Sequence, residues 1–289
     1  MSVSQIVLSV LVLIVLALAV VAYRLRRFIS LVRNKAIGEN RDYLWNLLYS
    51  LDWTGTTTNN YGYAPAETSG PERFQLQMYS ELAKPHLAKA KVAKHTELLE
   101  VSCGQGGGLA HLVQTWPSPI TAIGMDKSEN AVASCRKSHV QISNLSFAQG
   151  DALAIPFADG SFDVVVNVEA SGDYGNYEKF FSEVHRVLRK GGVFLYTDTC
   201  KANHVESTKL ALAVAGFKTN FRDIATNVVA ASIADTPRRR ALIKTRVPFL
   251  YRWLIRDALE NYAAVDGSGR LEKLKNGRLA YLMAKAERV

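Results

Sequence analysis

A run of glycines with an acidic residue ahead of it is the first feature of the sequence that could do chemistry. Residues 100–108 read EVSCGQGGG. Glycine lets a backbone pass close to a ligand where a side chain would collide. A dinucleotide-binding fingerprint counted from Gly104 needs its third glycine at position 109, where the chain has Leu109. The turn alone identifies no ligand, and its spacing disfavours a dinucleotide oxidoreductase.

Polar side chains also follow the next three apolar stretches. Asp126 ends the stretch TAIGM, at a distance from Gly104 where an acid can accept hydrogen bonds from ribose hydroxyls. Its alternative role is to cap the following helix. Asp151 lies in the triplet GDA and could bind an adenine amino group, and Asn167 and Glu169 end the stretch FDVVVNVE. Signals at four consecutive strand ends predict one nucleotide-binding crevice.

The elements that must position these residues alternate between strand and helix. We predict strands at 97–102, 121–125, 146–149, 162–168 and 193–197 and helices at 74–90, 108–114, 129–139 and 177–188. Further along, the pattern predicts a strand within 221–232, a helical region over 238–262 broken at Pro248, and a closing strand at 278–285. Apolar strands separated by helices are typical of an α/β fold with a parallel sheet covered on both faces. Ligands of such sheets bind beyond the carboxyl ends of the strands.

The segment over 98–197 resembles the class I S-adenosylmethionine-dependent methyltransferases. ELLEVSCGQGGG is similar to their first motif, GDALAIPFADGSFDVVVNVEA to the adenine-binding segment and fourth strand, and EVHRVLRKGGVFLYTD to the next helix, turn and strand. VSCGQGGG with NVEAS further resembles the phthiotriolone-type and fatty-acid O-methyltransferases. The resemblance implies a Rossmann-like, doubly wound, mostly parallel sheet and S-adenosyl-L-methionine as cofactor.

The resemblance also implies a role for each matching residue. Glu100, Ser102 and Gly104 are expected to line the amino-acid end of the cofactor. Gly106 and Asp126 are expected at its ribose. The adenine and the sulfonium are assigned to three further residues, namely Asp151, Ala152 and Asn167. No metal site is expected.

The acceptor side is less well defined by the resemblance. Glu169 is expected at the acceptor pocket, with Tyr61 and Tyr63 closing the site from above. In similar enzymes a histidine that can act as base follows the NVEAS segment, whereas this chain has Gly172 and then Asp173. The candidate catalytic residues are therefore Glu169, Asp173 and Tyr61. Alternatively, the acceptor is already anionic and needs no base.

An uncharged apolar stretch at 6–23 precedes these motifs. It is long enough to nearly span a bilayer as a helix, and a basic cluster follows it. A cleaved signal peptide is the alternative, but that would carry its basic residues ahead of the apolar run. The positive-inside rule then places the rest of the chain in the cytoplasm. We predict a transmembrane anchor at 1–23, a juxtamembrane segment and helical cover at 24–90, and a methyltransferase domain at 91–289.

Charge supports a membrane setting. The net charge is +9, and the segment 238–256 carries seven basic residues and no acid. Such clusters fit an anionic membrane surface, nucleic acid or simply solvated surface charge, and the adjacent apolar segment favours the membrane over nucleic acid. Three cysteines without paired spacing argue against a disulfide framework. Nothing in the sequence predicts an oligomeric state.

The predicted function is S-adenosylmethionine-dependent methylation of a lipophilic small molecule, such as a fatty acid, polyketide lipid, isoprenoid or sterol-like alcohol. Oxygen is the favoured target atom. The alternatives are C-methylation of a sterol or isoprenoid quinone, and a membrane-tethered protein that binds the cofactor without catalysis.

Overall fold

The computed structural model describes residues 2–33, 39–50, 55–87 and 95–289. In this part of the chain, seven strands form one sheet in the order β3-β2-β1-β4-β5-β7-β6. The first five strands in that order run parallel, and β7 is antiparallel to both of its neighbours. The strands are β1 (Thr96–Val101), β2 (Ile120–Asp126), β3 (Leu145–Gln149), β4 (Phe162–Val168), β5 (Leu188–Lys201), β6 (Phe217–Asp223) and β7 (Leu279–Arg288). The predicted doubly wound, mostly parallel sheet is confirmed.

Helices cover both faces of the sheet. Two of them, α1 and α2, precede the domain, and the others are inserted between or after the strands. Their bounds are α1 (Val3–Arg33), α2 (Glu39–Tyr49), α3 (Arg73–Leu87), α4 (Gly107–Thr115), α5 (Glu129–Ser138), α6 (Tyr177–Val187), α7 (Val205–Val214), α8 (Ala225–Arg246), α9 (Phe249–Tyr262) and α10 (Gly269–Lys275). Short 3₁₀ turns at Ser171–Asp173 and Ala202–His204 complete the set described.

Alternate residues of the central strands supply two separate cores. Leu98 and Val164 are fully buried in the cluster that includes residues of α3, α4, α5 and α8. Their neighbours Leu99 and Val165 are fully buried in the cluster that includes residues of α6 and α7. Because both faces are covered, these strands are apolar at consecutive positions, which is why the sequence indicated parallel strands.

The prediction for 221–232 is wrong over most of its length. β6 ends at Asp223, and α8 begins at Ala225. Within this part of α8, Val228, Ala231 and Ser232 are buried, at the spacing of one helix face. Packing against β7 favours a helix in this segment.

The final strands give the sheet its antiparallel edge. The predicted strand at 193–197 extends to Lys201, because β7 pairs with β5 from Val193–Glu287 to Lys201–Leu279. The predicted closing strand and the break before α9 at Pro248 are both present.

The N-terminal helix α1 is long and apolar enough to cross a membrane. Its most apolar section, Leu8–Arg27, has a mean hydropathy of 2.6, and none of it is buried against the rest of the described chain. A core helix of a soluble domain would be mostly buried, so this exposure leaves a membrane span or a signal sequence as the interpretations.

The second helix, α2, packs against α5 and α1. Asn46 accepts a hydrogen bond from the Ser128 hydroxyl at 2.7 Å, and its carbonyl accepts one from the Asn130 amide group at 2.9 Å. These contacts favour a cover on the domain over a helix lying on a membrane surface. The predicted continuation of α3 over 88–90 and the predicted domain boundary at 91 lie outside the described residues.

Candidate active site

The glycine-rich turn carries the chain from β1 into α4 through left-handed backbone conformations. Ser102, Gly104 and Gly106 have φ values of 58°, 55° and 76°. A non-glycine residue with positive φ is uncommon, so Ser102 occupies a backbone conformation that glycine would adopt without strain. The Ser102 hydroxyl accepts a hydrogen bond from the Tyr174 hydroxyl at 2.7 Å, so its side chain is fixed within the turn.

The glycines of this turn also let the cover approach closely. A Cβ atom at Gly107 would lie 2.1 Å from Thr57 Oγ1, and one at Gly108 would lie 1.9 Å from the Tyr79 ring. A Cβ at Gly104 would lie 2.8 Å from the hydroxyl of Tyr49, the last residue of α2. The close approaches thus come from α2, α3 and the loop before α3.

Glu100 is a buried carboxylate with one unused oxygen. Its Oε1 accepts a hydrogen bond from the Tyr79 hydroxyl at 2.8 Å. Within the described part of the chain, no donor reaches Oε2, which is buried. Burial raises the pKa of Glu100 to about 8, against the opposing effect of the Tyr79 hydrogen bond. A cation placed beside Oε2 would satisfy this oxygen and return the group to its charged form.

Asp126 holds the other side of the turn. Its Oδ2 accepts from the Gly104 amide and its Oδ1 from the Ser128 amide, both at 2.9 Å. The N-cap of α5 is Ser128, whose hydroxyl accepts from the Ala131 amide. Capping is therefore not the task of Asp126. Burial raises the pKa of Asp126 to about 6, and these amides partly offset the shift.

Asp151 and Ala152 follow β3 at the same edge of the sheet. Asp151 accepts from the Leu153 amide at 2.8 Å and pairs with Lys127 at 2.9 Å. Partial burial acts to raise the pKa of Asp151, but the amide and the ammonium outweigh it and the pKa is lowered. Lys127 also pairs with Asp42 of α2 at 2.8 Å, so the adenine-side loop is tied to the cover. Ala152 is buried against the core.

Asn167 lies fully buried near the end of β4. Its Nδ2 donates to the Val101 carbonyl at 2.9 Å and to the Tyr174 hydroxyl at 2.8 Å. Its Oδ1 is buried, and no donor among the described residues reaches it. Asn167 and Glu100 thus both present an unused buried oxygen at the carboxyl edge of the sheet.

The structure brings Glu169 and Tyr61 together. Glu169 has a φ of 52°, and its Oε1 accepts from the Tyr61 amide at 2.7 Å and from the Tyr281 hydroxyl. Burial raises the pKa of Glu169 to about 7, while these two hydrogen bonds oppose the shift. Near neutral pH the group is therefore divided between acid and carboxylate, as a general base should be.

Arg239 fixes the loop that carries Tyr61. Its guanidinium donates to the Tyr61 carbonyl at 2.5 Å and to the Ala263 carbonyl at 2.7 Å, and it pairs with Asp235 at 3.0 Å. Arg270 lies 5.9 Å from the centre of the Tyr61 ring. Arg239 is buried, although its place in the basic segment 238–256 predicts a surface position.

Asp173 is held by the cover. Its carboxylate pairs with Arg41 at 3.1 Å and accepts from Trp45 Nε1 at 2.9 Å, both from α2. Its side chain is 44% exposed. The structure therefore links Asp173 to α2.

Comparison with known proteins identifies the group to which this arrangement belongs. A methyltransferase-domain model matches residues 99–196. The probable phthiotriol/phenolphthiotriol dimycocerosates methyltransferase 2 of Mycobacterium ulcerans is 35% identical over 202 residues, which cover 70% of this chain and 74% of that protein. The chain belongs to the class I S-adenosylmethionine-dependent methyltransferases. The fatty-acid O-methyltransferase of Mycolicibacterium smegmatis is 40% identical over 162 residues, 53% of this chain and 57% of that protein.

Solved structures agree on the methyltransferase fold. A putative sarcosine dimethylglycine methyltransferase from Galdieria sulphuraria aligns with a TM-score of 0.66 and 17% identity, over 84% of this chain and 98% of that one. A geranyl diphosphate methyltransferase solved with its substrate and sinefungin gives a TM-score of 0.63 and 17% identity, over 87% of this chain and 98% of that one. The predicted family, enzyme class and cofactor, S-adenosyl-L-methionine, are confirmed.

The residues present fit this cofactor. S-Adenosylmethionine carries an ammonium, a ribose and an adenine, and the unused Glu100 Oε2 suits the ammonium. Asp126 lies at the end of β2 with its carboxylate at the glycine turn, where ribose hydroxyls bind in related sheets. Three tyrosines that the sequence did not indicate, Tyr79, Tyr174 and Tyr281, hydrogen-bond to residues of the site. The signal for Tyr79 was Gly108, because only glycine leaves room for that ring.

His185 and Cys103 are two further residues whose side chains could take part in chemistry. His185 packs edge-on against Phe217 at 5.3 Å, in the core layer of α6 and α7. Cys103 is buried, and its contact with Cys135 together with burial raises the pKa of its thiol. A thiol held protonated is a poor nucleophile.

Asp126→Asn should weaken the binding of S-adenosylhomocysteine by tenfold to a hundredfold. The substitution keeps the size of the side chain but removes the negative charge of the carboxylate that would accept hydrogen bonds from the ribose hydroxyls. Loss of hydrogen bonds to a charged group costs on the order of 1.5–3 kcal/mol of binding free energy. Calorimetry measures Kd directly. The matched control is Asp163→Asn, because Asp163 also accepts a strand amide, from Glu97 at 3.0 Å, but lies at the opposite edge of the sheet. An unchanged Kd in Asp126→Asn would rule out the ribose role.

Proposed function

We propose that this methyltransferase transfers a methyl group to an oxygen atom of a lipophilic small molecule held in or near a membrane. The observation that carries the proposal is Glu169, a half-buried carboxyl group directly after β4 whose pKa is raised to about 7. Relatives named for phthiotriol/phenolphthiotriol dimycocerosates and for fatty acids support a lipid-like acceptor.

The chain contributes orientation, exclusion of water and removal of a proton. Bound S-adenosylmethionine supplies an electrophilic methyl group on its sulfonium. Glu100 and Asp126 would hold the amino-acid end and the ribose, with Asn167 beneath the reacting centre. Alignment of two reactants can lower a barrier by about 7–11 kcal/mol. Tyr49, Thr57 and Tyr79 lie close over the turn, which supports a closed site that excludes water.

Glu169 would take the proton of an acceptor hydroxyl. Its Oε1 is engaged by the Tyr61 amide and the Tyr281 hydroxyl, so these contacts orient the carboxylate and leave Oε2 for the acceptor. Asp173 is a weaker candidate, since Arg41 and Trp45 already occupy its oxygens. Tyr61 would position Glu169 through its backbone and form a wall of the site with its ring.

A carboxylate acceptor is the second candidate, and Arg270 favours it. This guanidinium lies 5.9 Å from the Tyr61 ring centre and makes a long hydrogen bond of 3.4 Å to Thr199 Oγ1. The pKa of Arg270 is raised, mainly by Tyr61 and further by the charge of Glu169, while burial opposes the shift. Arg270 and Glu169 therefore lie near each other. A carboxylate is already ionised near neutral pH and would need no base.

The membrane part of the proposal rests on α1. Leu8–Arg27 would cross the bilayer, with Arg24, Arg26 and Arg27 at its end. Basic residues favour the cytoplasmic side, which would put the methyltransferase domain in the cytoplasm.

Transfer of tritium from labelled S-adenosylmethionine tests the proposal. The full chain in lipid vesicles is offered hexadecanol, hexadecanoic acid or a total lipid extract. We expect label in an ether or an ester, identified by mass spectrometry and by its resistance or sensitivity to alkali. Alkali-resistant label on carbon would favour C-methylation instead. Cofactor binding without label in any lipid would support the non-catalytic alternative.

A further inference from the structure

Two large aromatic side chains stand in solvent on α9. Phe249 is 72% exposed and Trp253 is 71% exposed. They are four residues apart, so they lie on the same face of the helix. In the described part of the chain after α1, no other aromatic side chain is exposed to this degree. Large exposed aromatic residues that cluster on one face mark an interaction site.

Basic residues lie near this pair, although Arg239 is buried against Asp235 and Arg256 pairs with Glu260 at 3.2 Å. The segment 238–256 has seven basic residues and no acid, and both Lys244 and Arg256 are exposed. Arg252 lies 5.6 Å from the ring centre of Phe249. Aromatic residues combined with Lys and Arg are the composition of helices that lie in the interface of an anionic bilayer. An acidic protein partner would match the charge but would not explain the position of α9.

That position is beside the candidate membrane span. α1 packs against α9, and α1 carries Arg24, Arg26 and Arg27 at the end of its apolar section. The Arg27 guanidinium lies 4.6 Å from the Tyr43 ring centre on α2. The polar end of α1 is therefore next to α2, and α9 contacts the helix that would cross the bilayer.

The opposite end of α9 reaches the active site. Tyr262 packs edge-on against Trp45 of α2 at 5.6 Å, and its hydroxyl accepts from Asn59 Nδ2 at 2.7 Å. Asn59 is two residues before Tyr61, which contacts Glu169. Phe249 and Tyr262 are separated by about 20 Å along the helix axis, at about 1.5 Å per residue. One helix thus connects the aromatic face with the cover of the acceptor site.

We infer that the face formed by Phe249, Trp253, Lys244 and Arg256, here called the α9 face, docks into the surface of an anionic membrane. This inference rests on the proposed function, because docking would bring the acceptor site to the bilayer that holds a lipophilic acceptor. α1 tethers the chain, and the α9 face orients it. Each basic residue near an anionic surface should strengthen docking about fivefold.

Fluorescence quenching in reconstituted vesicles tests the docking directly. The full chain is placed in vesicles of phosphatidylcholine and phosphatidylglycerol with bromine on the acyl chains, which quenches tryptophan only at short range. We expect the wild type to lose a larger fraction of its tryptophan emission than Trp253→Phe, because only the wild type has a tryptophan at position 253. Equal quenching of the two proteins would overturn the proposal. Combining Lys244→Gln with Arg256→Gln should reduce the quenching of Trp253 by the brominated lipid. High salt should reduce this quenching as well.

Catalysis provides a second measurement. Phe249→Glu should lower kcat/KM for hexadecanol held in vesicles, but not for hexadecanol dispersed in detergent. The matched control is Val214→Glu on α7, since Val214 is 76% exposed but lies outside the α9 face. An equal loss in both variants would contradict docking through α9. If no lipid is methylated, the proposed function fails, whereas the quenching result still decides whether the α9 face contacts the membrane.

Discussion

Glu169→Gln should lower the rate of methyl transfer to a neutral hydroxyl by about 10²–10⁴, the typical contribution of a general base. Glutamine keeps the oxygen that accepts from the Tyr61 amide and the Tyr281 hydroxyl, so the local structure should survive. It cannot accept the acceptor's proton. Cofactor affinity should stay unchanged, because Glu169 is not among the residues assigned to the cofactor.

The pH dependence of turnover provides a second test of Glu169 as the base. Burial raises the pKa of Glu169 to about 7. The base is the carboxylate, so kcat of the wild type should rise as pH increases through about 7 and level off above it. Glu169→Gln should be slow at every pH and should lose this inflection. Asp173→Asn should keep it, since Asp173 pairs with Arg41 of α2.

The assay is turnover at saturating cofactor across pH, with hexadecanol and hexadecanoic acid as separate acceptors. A large loss with hexadecanol and a small one with hexadecanoic acid would assign the proton transfer to Glu169. Arg270→Gln should show the opposite preference, because it removes a cation and no base. Full activity of Glu169→Gln with hexadecanol would disprove the base assignment and favour the carboxylate acceptor.

The residues at the strand ends could be predicted because their positions follow from local pattern. A parallel sheet brings all carboxyl ends to one edge, so Glu100, Asp126, Asp151 and Asn167 had to lie together once the strands were recognised. The resemblance placed Tyr61 over the acceptor site, but its hydrogen bond to Glu169, 108 positions away, could not be predicted.

The partners of these residues could not be predicted in the same way. Tyr281 reaches Glu169 from the last strand, and Arg239 reaches Tyr61 from a helix 178 positions away. Neither has a local signature: Arg239 lies in a run of three arginines, of which Arg240 is 49% exposed and Arg239 only 7%. Tertiary packing alone distinguishes them. Likewise, only packing on α5 separates α2 as a cover from an interfacial helix.

Asp235→Ala should destabilise the protein by about 3–5 kcal/mol, because it leaves a buried guanidinium without its counter-charge. Asp235 and Arg239 are 4% and 7% exposed and pair at 3.0 Å. Asp235 also accepts from Gln75 of α3 at 2.8 Å and from Arg238 at 2.8 Å. Asp235 therefore joins α8 to α3.

The pH dependence of this contribution follows from the pKa of Asp235. Burial acts to raise the pKa, but the hydrogen bonds and charges of Arg238 and Arg239 outweigh it, and the pKa is lowered. A lowered folded pKa means that the stabilisation is fully present above the unfolded value of about 3.9 and is lost as pH falls through the folded value. At neutral pH the wild type keeps all of it.

Thermal unfolding of the full chain in detergent micelles measures the effect, with an expected decrease in Tm of about 6–20 °C. Arg240→Gln is the matched control, since this neighbour pairs with Glu260 at 3.6 Å and is 49% exposed. Exposed pairs contribute about 1 kcal/mol or less. Equal losses in the two variants would show that burial of the Asp235–Arg239 pair has no special importance. Because Arg239 also holds the Tyr61 carbonyl, Asp235→Ala should reduce turnover at temperatures where the chain is still folded. A loss of turnover in the folded variant would show that the Asp235–Arg239 pair affects the orientation of Glu169 through Tyr61. A pair with a purely structural role would leave turnover of the folded protein unchanged.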